Sequence, residues 1–442
     1  MKITALLALS PLLLFSFRVG NAQDTSAKNT FILSSQLRPR FEYRNGDFKP
    51  LSKGENPAVL VNSRLRLNLE YDYSDEIKTK ISLQSINIWG QATPVQGLNQ
   101  QNNNFGIFEA WADIKIYKGL RTKIGRQTIS LDDERLFGVS DWTPASRSHD
   151  ALSVYYVSDK FRVNSYFAFN QNYNALYQSN INNPSGDLYS SQGAQPYKYM
   201  QILWMGYHFA PSSDLSFIFS NLGFQNAGSN SQSSNETIAD LQTTGINYSF
   251  SDKNFSANFS GYYQFGKNTL LNTVSACLLS VGISGKIFSR FAMSVRSDYL
   301  SGNSVGQSSG TDHAFSALYG TNHKFYGQMD YYPAGTAGLW NNVIAGSYTV
   351  SERIKLAATG HFFFTASGLQ KNVGNPHANL GQEADLNFSY RINTFTDVSI
   401  GYSAYFTTKN LLQIKGISNP KPWQDWAWIC LDVHPRIFKA VF

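Results

Sequence analysis

The feature that most restricts the fold is an alternation of charge and apolar bulk that returns along the whole chain. Residues 38–44 read RPRFEYR, with Arg38, Arg40, Glu42 and Arg44 at every second position and Pro39, Phe41 and Tyr43 between them. Side chains of an extended strand point alternately to its two faces, so this segment is ionised on one face and apolar on the other. VNSRLRLNLEY repeats the arrangement, setting Arg64, Arg66, Asn68 and Glu70 against Leu65, Leu67, Leu69 and Tyr71. IFEAWADIKIY opposes Glu109, Asp113 and Lys115 to Phe108, Ala110, Ala112, Ile114 and Ile116. SRFAMSVRSDY opposes Arg290, Ser294, Arg296 and Asp298 to Phe291, Met293, Val295 and Tyr299. In RIKLAATGHFFF, Arg353, Lys355, Thr359 and His361 face away from Ile354, Leu356, Ala358, Phe362 and Phe364. In EADLNFSYRI, Glu383, Asp385, Asn387, Ser389 and Arg391 face away from Ala384, Leu386, Phe388, Tyr390 and Ile392.

A soluble barrel turns its apolar faces inward. An outer-membrane barrel turns them to lipid and leaves the charges in an aqueous lumen, in strands of about ten residues. Two features favour the second arrangement. Charged residues make up only 15% of the chain, against 14% aromatics. The N-terminus, MKITALLALSPLLLFSFRVGNAQ, has a basic start, an apolar stretch and small residues before a cut after Ala22, the layout of a secretory signal. The expected organisation is a signal peptide over 1–22 and one barrel over 23–442. Loss of Lys2 and Arg18 with the signal lowers the net charge from +7 to +5. No later run approaches the roughly 18 apolar residues of a membrane helix. Cys277 and Cys430 are far apart and are expected as unpaired thiols.

Strands are expected to begin near residues 31, 59, 77, 105, 120, 149, 160, 198, 213, 240, 254, 275, 289, 338, 353, 381, 395 and 424, which makes 18. An even number suits a single-chain bacterial barrel. Short connections such as SDE (74–76), KG (118–119) and NT (393–394) alternate with long ones at 45–58, 92–104, 129–148, 171–197, 224–239, 301–337, 367–380 and 409–423. Short periplasmic turns and long extracellular loops are the pattern of this class. Tyr71, Tyr73, Tyr155, Tyr156, Tyr262, Tyr263, Trp426 and Trp428 lie near expected strand ends and suit the membrane interfaces. The fold class expected is therefore an all-β, antiparallel transmembrane barrel in the outer membrane of a Gram-negative bacterium.

Several segments resemble the alginate-export family of outer-membrane porins. They are RPRFEYR, NSRLRLNLEY, LQSINIWG, EAWADI, GRQTISLDDERLFGVSDW, RSHDAL, LYGTNHKFYGQMDYY and LGQEADLNFSYRIN, in order from about residue 35 to the end. The block from Glu109 to Leu152 is the most specific of them. The resemblance implies an 18-stranded barrel through which an anionic polyuronate leaves the cell along a pore lined with Arg and Lys.

The residues expected to line the pore and meet its solute are Arg38, Arg40, Arg44, Arg64, Arg66, Glu109, Asp113, Arg126, Asp132, Asp133, Arg135, Arg147, His149, Arg296, Asp298, Arg353, Lys355, Glu383, Asp385 and Arg391. A basic channel with low-dielectric walls concentrates anions, and the planar Arg fork suits carboxylates. The same groups could instead pair across strands and stiffen the wall, Arg40 with Glu70 or Arg64 with Glu42. The loop carrying Asp132, Asp133, Glu134, Arg135, Asp141 and Trp142 admits three readings. It can bind calcium through its acidic triplet, fold inward against lumen arginines, or lie in solvent. The sequence RSHD, holding Arg147, Ser148, His149 and Asp150, marks a loop-to-strand boundary. Adjacent residues of a strand face opposite ways and do not make a catalytic triad.

The function expected is passive passage of an anionic or polar solute, with neither catalysis nor a cofactor. The alternatives are an outer-membrane hydrolase and a plugged structural or adhesive barrel. The partners expected are the solute, outer-membrane lipid and lipopolysaccharide, the barrel-assembly machinery that reads a terminal Phe442, and a periplasmic export partner, with no nucleic acid.

Overall fold

The computed structural model describes residues 29–46, 48–90, 104–170, 197–225, 238–304, 310–332, 337–369 and 377–442. The signal segment and parts of the long loops 92–104, 171–197 and 224–239 lie outside them. The strands run β1 (Thr30–Asn45), β2 (Ala58–Tyr73), β3 (Ile77–Ile88), β4 (Asn104–Tyr117), β5 (Leu120–Gln127), β6 (His149–Val157), β7 (Phe161–Phe169), β8 (Tyr199–Ala210), β9 (Ser213–Gln225) and β10 (Ile238–Ser251). They continue as β11 (Phe255–Lys267), β12 (Thr273–Phe288), β13 (Phe291–Leu300), β14 (Thr311–Asp312), β15 (Leu339–Thr349), β16 (Ile354–Phe364), β17 (Asn379–Asn393), β18 (Thr396–Thr407), β19 (Gln424–Val433) and β20 (Arg436–Val441).

All 20 strands belong to one sheet. The two-residue β14 is a piece of loop lying parallel to β12. The last two strands are one wall strand interrupted at His434 and Pro435, where proline has no N–H to give and the pairing with β1 slips between Leu33 and Ser34. The wall therefore has 18 strands, each antiparallel to its neighbours. It closes because β1 pairs with β2 on one side and with β19 and β20 on the other. Closure satisfies every edge, which lipid demands. The wall strands begin within two residues of the expected positions. Short turns join them on the side where the two termini meet, Thr30 opposite Val441. At the turn between β4 and β5, Gly119 takes a φ of +77°, and a Cβ there would press on the Val157 carbonyl at 2.7 Å.

The period-two pattern sorts residues inside out. Leu65, Ile81, Phe167 and Leu386 are exposed on the outer face, while Ser82, Thr243, Ser280 and Asn341 are fully buried on the inner one. The expectation fails at Phe108. A bulge in β4, opposite Ser82 and Leu83 of β3, leaves Phe108 without an opposite residue and turns it inward beneath the Arg66 guanidinium, 3.8 Å from the ring centre. The expected interfacial aromatics also divide. Tyr73, Tyr156 and Tyr263 are exposed, but Tyr262, Trp426 and Trp428 are buried inside.

The apolar core sits in the lumen, built by two long loops that fold inward. Residues 128–148, between β5 and β6, meet residues 310–332 of the segment between β13 and β15. Gly138 donates to the Tyr319 carbonyl at 3.0 Å, Tyr319 to that of Leu136 at 2.9 Å, and Thr321 to that of Glu134 at 2.9 Å. Phe137, Met329 and Tyr331 are completely buried around this seam. A short helix, α1 (Lys409–Lys415), is capped by the Thr408 side chain and a left-handed Gly416, and Lys415 Nζ donates to the Tyr331 carbonyl at 2.6 Å. Both cysteines are free thiols.

Candidate functional site

Strands β1 and β2 set their inner residues face to face, Gln36 opposite Arg66, Arg38 opposite Arg64 and Arg40 opposite Asn62. Like charges directly opposed on neighbouring strands repel. Here a single carboxylate from the inward loop relieves the repulsion. Asp141 lies 3.2 Å from Arg38 Nη1, 2.9 Å from Arg64 Nη1 and 3.1 Å from Arg66 Nη1, and it accepts from Ser146 Oγ at 2.8 Å. Burial acts to raise its pKa, but the hydrogen bond and charge of Arg64, with the charge of Arg38, outweigh burial and hold the carboxyl at about 2.

Arg40 reaches the Trp142 carbonyl at 2.8 Å and lies over the Trp142 ring, 4.1 Å from its centre. That indole stacks on His323 and meets Trp426 and Trp428 edge-on. Glu42 divides its carboxylate between Arg40 Nε and Arg44 Nη2, at 2.9 and 2.8 Å, and accepts from Asn62. The row thus places five guanidinium groups (Arg38, Arg40, Arg44, Arg64, Arg66) against two carboxylates, Glu42 and Asp141.

The other end of the loop is fastened to β13, six wall strands round from β1. Arg135 gives Nη2 to Asp298 of β13 at 2.7 Å and Nε to Asp133 at 2.8 Å, with its guanidinium over Phe325, 4.0 Å from the ring centre. Burial would lower the Arg135 pKa, but Tyr326, Asp298 and Asp133 raise it above the ordinary value. Asp298 also receives Arg296 and Ser280. Asp132 accepts from Trp204 of β8 and Ser216 of β9, and burial raises its pKa despite those bonds. Toward the short turns, a cavity of about 630 Å³ is lined by Asp132, Asp133, Arg162, His208, Asp214 and Asn247 among others.

The remaining expected residues fall into several groups. Glu109 faces Lys80 at 2.6 Å, and Asp113 takes Arg121 at 2.7 Å together with the Tyr155 hydroxyl. Buried Glu383 accepts the Met329 N–H at 2.9 Å, and Asp385 lies 3.5 Å from His361 Nε2. Arg147 binds the Tyr319 carbonyl, and burial lowers its pKa. His149 meets the Tyr197 hydroxyl at 2.9 Å. Arg353, Lys355 and Arg391 sit exposed at the short-turn end, with Arg391 3.8 Å from Asp397. Arg126 is misplaced by the sequence reading. It lies on β5, on the outer face with the exposed Ile124 rather than in the pore, and it pairs with Asp150 at 2.7 Å.

The cross-strand pairs expected of Arg40 with Glu70 and Arg64 with Glu42 do not form, because the register puts Glu70 opposite Ile32 and Glu42 opposite Leu60. The acidic triplet diverges: Asp132 goes to Trp204, Asp133 to Arg135 and Glu134 to Ser130. Among the described residues no group of three or more His, Cys, Asp or Glu side chains is placed to hold a metal ion. RSHD is split likewise, with His149 turned inward to Tyr197 and Asp150 outward to Arg126. Sequence reasoning missed Gln36, Gln84 and Ser146, which hold Arg64 and Arg66 in place. The two glutamines were legible as inner-face polar residues by their parity.

Comparison with known proteins agrees with this architecture. The barrel is similar to the crystal structure of OccAB4 from Acinetobacter baumannii, with TM-score 0.60 and 10% identity over 95% of this chain and 99% of that one. It is similar to OpdL from Pseudomonas aeruginosa, with TM-score 0.61 and 8% identity over 92% and 99% of the two chains. OpdQ from the same organism gives TM-score 0.59 and 12% identity over 92% and 98%. No curated protein matches the sequence at a significant level. A family model described as alginate export matches residues 30–412. The chain is an outer-membrane β-barrel channel, and it belongs to the alginate export family.

Proposed function

We propose that this channel passes a carboxylate-bearing solute passively, a uronate oligomer such as alginate being the best fit, and that the row from Arg38 to Arg66 selects it. The observation that carries the reading is the direct opposition of Arg38 and Arg64 across β1 and β2, in a row with more guanidinium groups than carboxylates. Such a row attracts anions into a low-dielectric passage. Its forked donors match carboxylate oxygens two at a time. Several weak sites in sequence let a solute enter and also leave, as conduction requires.

The test is the reversal potential of the refolded protein in a planar bilayer under a salt gradient. Wild type should prefer anions, and oligouronates should reduce its current. Arg64→Gln combined with Arg66→Gln should reduce both effects. Equal selectivity in wild type and the double variant would refute the assignment. The union of the two inward loops around a buried aromatic core favours one other reading, a plugged barrel. Correctly inserted barrels that carry no current would establish that reading instead.

A further inference from the structure

The contact between Asp141 and the arginine row has the form of a bound ligand. One carboxylate receives Arg38, Arg64 and Arg66 together with the Ser146 hydroxyl, at distances of 2.8 to 3.2 Å. The arginines belong to the wall, and the carboxylate belongs to a loop. The Arg64 side chain is 1% exposed, whereas that of Asp141 is 52% exposed. The basic groups are thus fixed beneath, and the acid lies on top, open to the lumen. The cluster is short of acceptors even with Asp141 in place. Among the described residues, Arg64 Nε and Arg66 Nη2 are buried without a hydrogen-bond partner.

The loop is anchored independently of this carboxylate. Arg147 N–H donates to the Val139 carbonyl at 2.8 Å, closing the neck of the segment, and the Arg147 side chain holds Gly138 and Tyr319 from the other loop. Trp142 is wedged among His323, Trp426 and Trp428. Rotation of the Asp141 side chain therefore frees the Nη groups that its carboxylate holds without undocking the loop, which Arg38 and Arg40 still grip through the Trp142 and Thr143 carbonyls.

We infer that Asp141 is a tethered competitor: it occupies the carboxylate site of the arginine row, and a carboxylate of the solute takes its place during passage. This rests on the carboxylate selectivity proposed above and adds its mechanism. An unoccupied row would leave Arg38 and Arg64 in direct repulsion and would bind any anion strongly enough to hold it. The tether keeps the row partly neutralised at high effective concentration, so a solute carboxylate binds by exchange and leaves by the reverse exchange. Solute binding is thereby kept weak, and a single carboxylate competes less well than a chain bearing several.

Equilibrium binding of glucuronate to the refolded full-length barrel in detergent, by calorimetry, tests the inference whether or not the barrel conducts. Asp141→Asn keeps the shape and removes the charge, and should tighten glucuronate binding at least tenfold. Asp141→Ala should do the same. Equal affinities in wild type and both variants would overturn the inference. A measurement on wild type alone guards against a variant that fails to fold. Methanesulfonate stays ionised at low pH, so its binding should strengthen as the pH falls from 5 toward 2 and Asp141 gains its proton. A flat profile would also overturn the proposal. Anion selectivity that depends on Arg64 and Arg66 while these affinities stay unchanged would leave the channel assignment standing and remove only the competitor. Tighter binding in a barrel that carries no current would do the opposite.

Discussion

Replacing Arg135 with alanine should release the inward loop from the far wall. Arg135 and Asp298 are both fully buried at their side chains and meet at 2.7 Å. Removing one partner of a buried pair costs roughly 3–5 kcal/mol, because the other is left charged and unpaired. Asp298 is not abandoned, however, since Arg296 Nε remains at 2.9 Å and Ser280 Oγ at 2.7 Å. Asp133 is partly exposed and can be solvated. The cost therefore lies near the lower end, about 3 kcal/mol, which is about a hundredfold in the opening equilibrium of the loop. Hydrogen exchange measured by mass spectrometry reads that equilibrium directly. Amides that join the two loops, those of Gly138, Tyr319 and Thr321, should exchange about a hundredfold faster in Arg135→Ala. Amides in the ladder between β12 and β13 should keep their wild-type rates. Acceleration of the loop amides below about threefold would refute the reasoning, as would an equal acceleration of the wall.

Three further outcomes follow from other parts of the molecule. The Asp141 carboxyl is depressed to about 2, so its bridge to the arginines is fully present above about pH 4 and is lost as the pH falls toward 2; a wild-type minus Asp141→Asn difference in tryptophan fluorescence, reporting on Trp142, should show a transition there and nowhere between pH 5 and 8. Leu65→Arg, which adds a charge to the lipid face between two inner-face arginines, should destabilise the barrel by about 2–4 kcal/mol if the position lies near the bilayer midplane, read from the denaturant midpoint of refolding into vesicles. Gly327→Ala places a Cβ against the Glu383 carboxylate at a φ of +89°, so it should expose the Met329 amide to exchange while leaving the neighbouring amides of β17 protected.

The wall was legible in the sequence because one physical rule, the alternation of side chains, acts at every position and accumulates over hundreds of residues. Arg38, Arg64 and Asp298 were assigned to the inner face by parity alone. Parity also explains the errors. One unpaired residue reverses it, and the bulge in β4 did this to Phe108. Arg126 is expected in the pore, although its place on the outer face with Ile124 follows from the same alternation once β5 is extended to Gln127. Trp426 and Trp428 have the composition of an interfacial girdle, but a loop 284 residues earlier in the chain supplies Trp142 for them to pack on. The partners of the arginines were invisible for a related reason. Asp141 lies 75 residues from Arg66 in sequence, and its position depends on the path of a loop with no periodicity. The sequence could show that the loop holds charges suited to inward folding, and only the fold could show which ones meet.

The wall closes where β1 meets β19 and β20, and Trp142 lies across that line. It touches Arg40 on one side of the join and Trp426 and Trp428 on the other. Along this join the first and last segments of the chain hold each other by their ladder, with no turn of the chain to connect them. The loop acts there as a clasp, adding side-chain attachments to both halves from within. It cannot fasten until the final strand has arrived, so the contact also marks the barrel as complete. A ring still lacking its last strand would lack the clasp as well, and its first strand would keep an open edge.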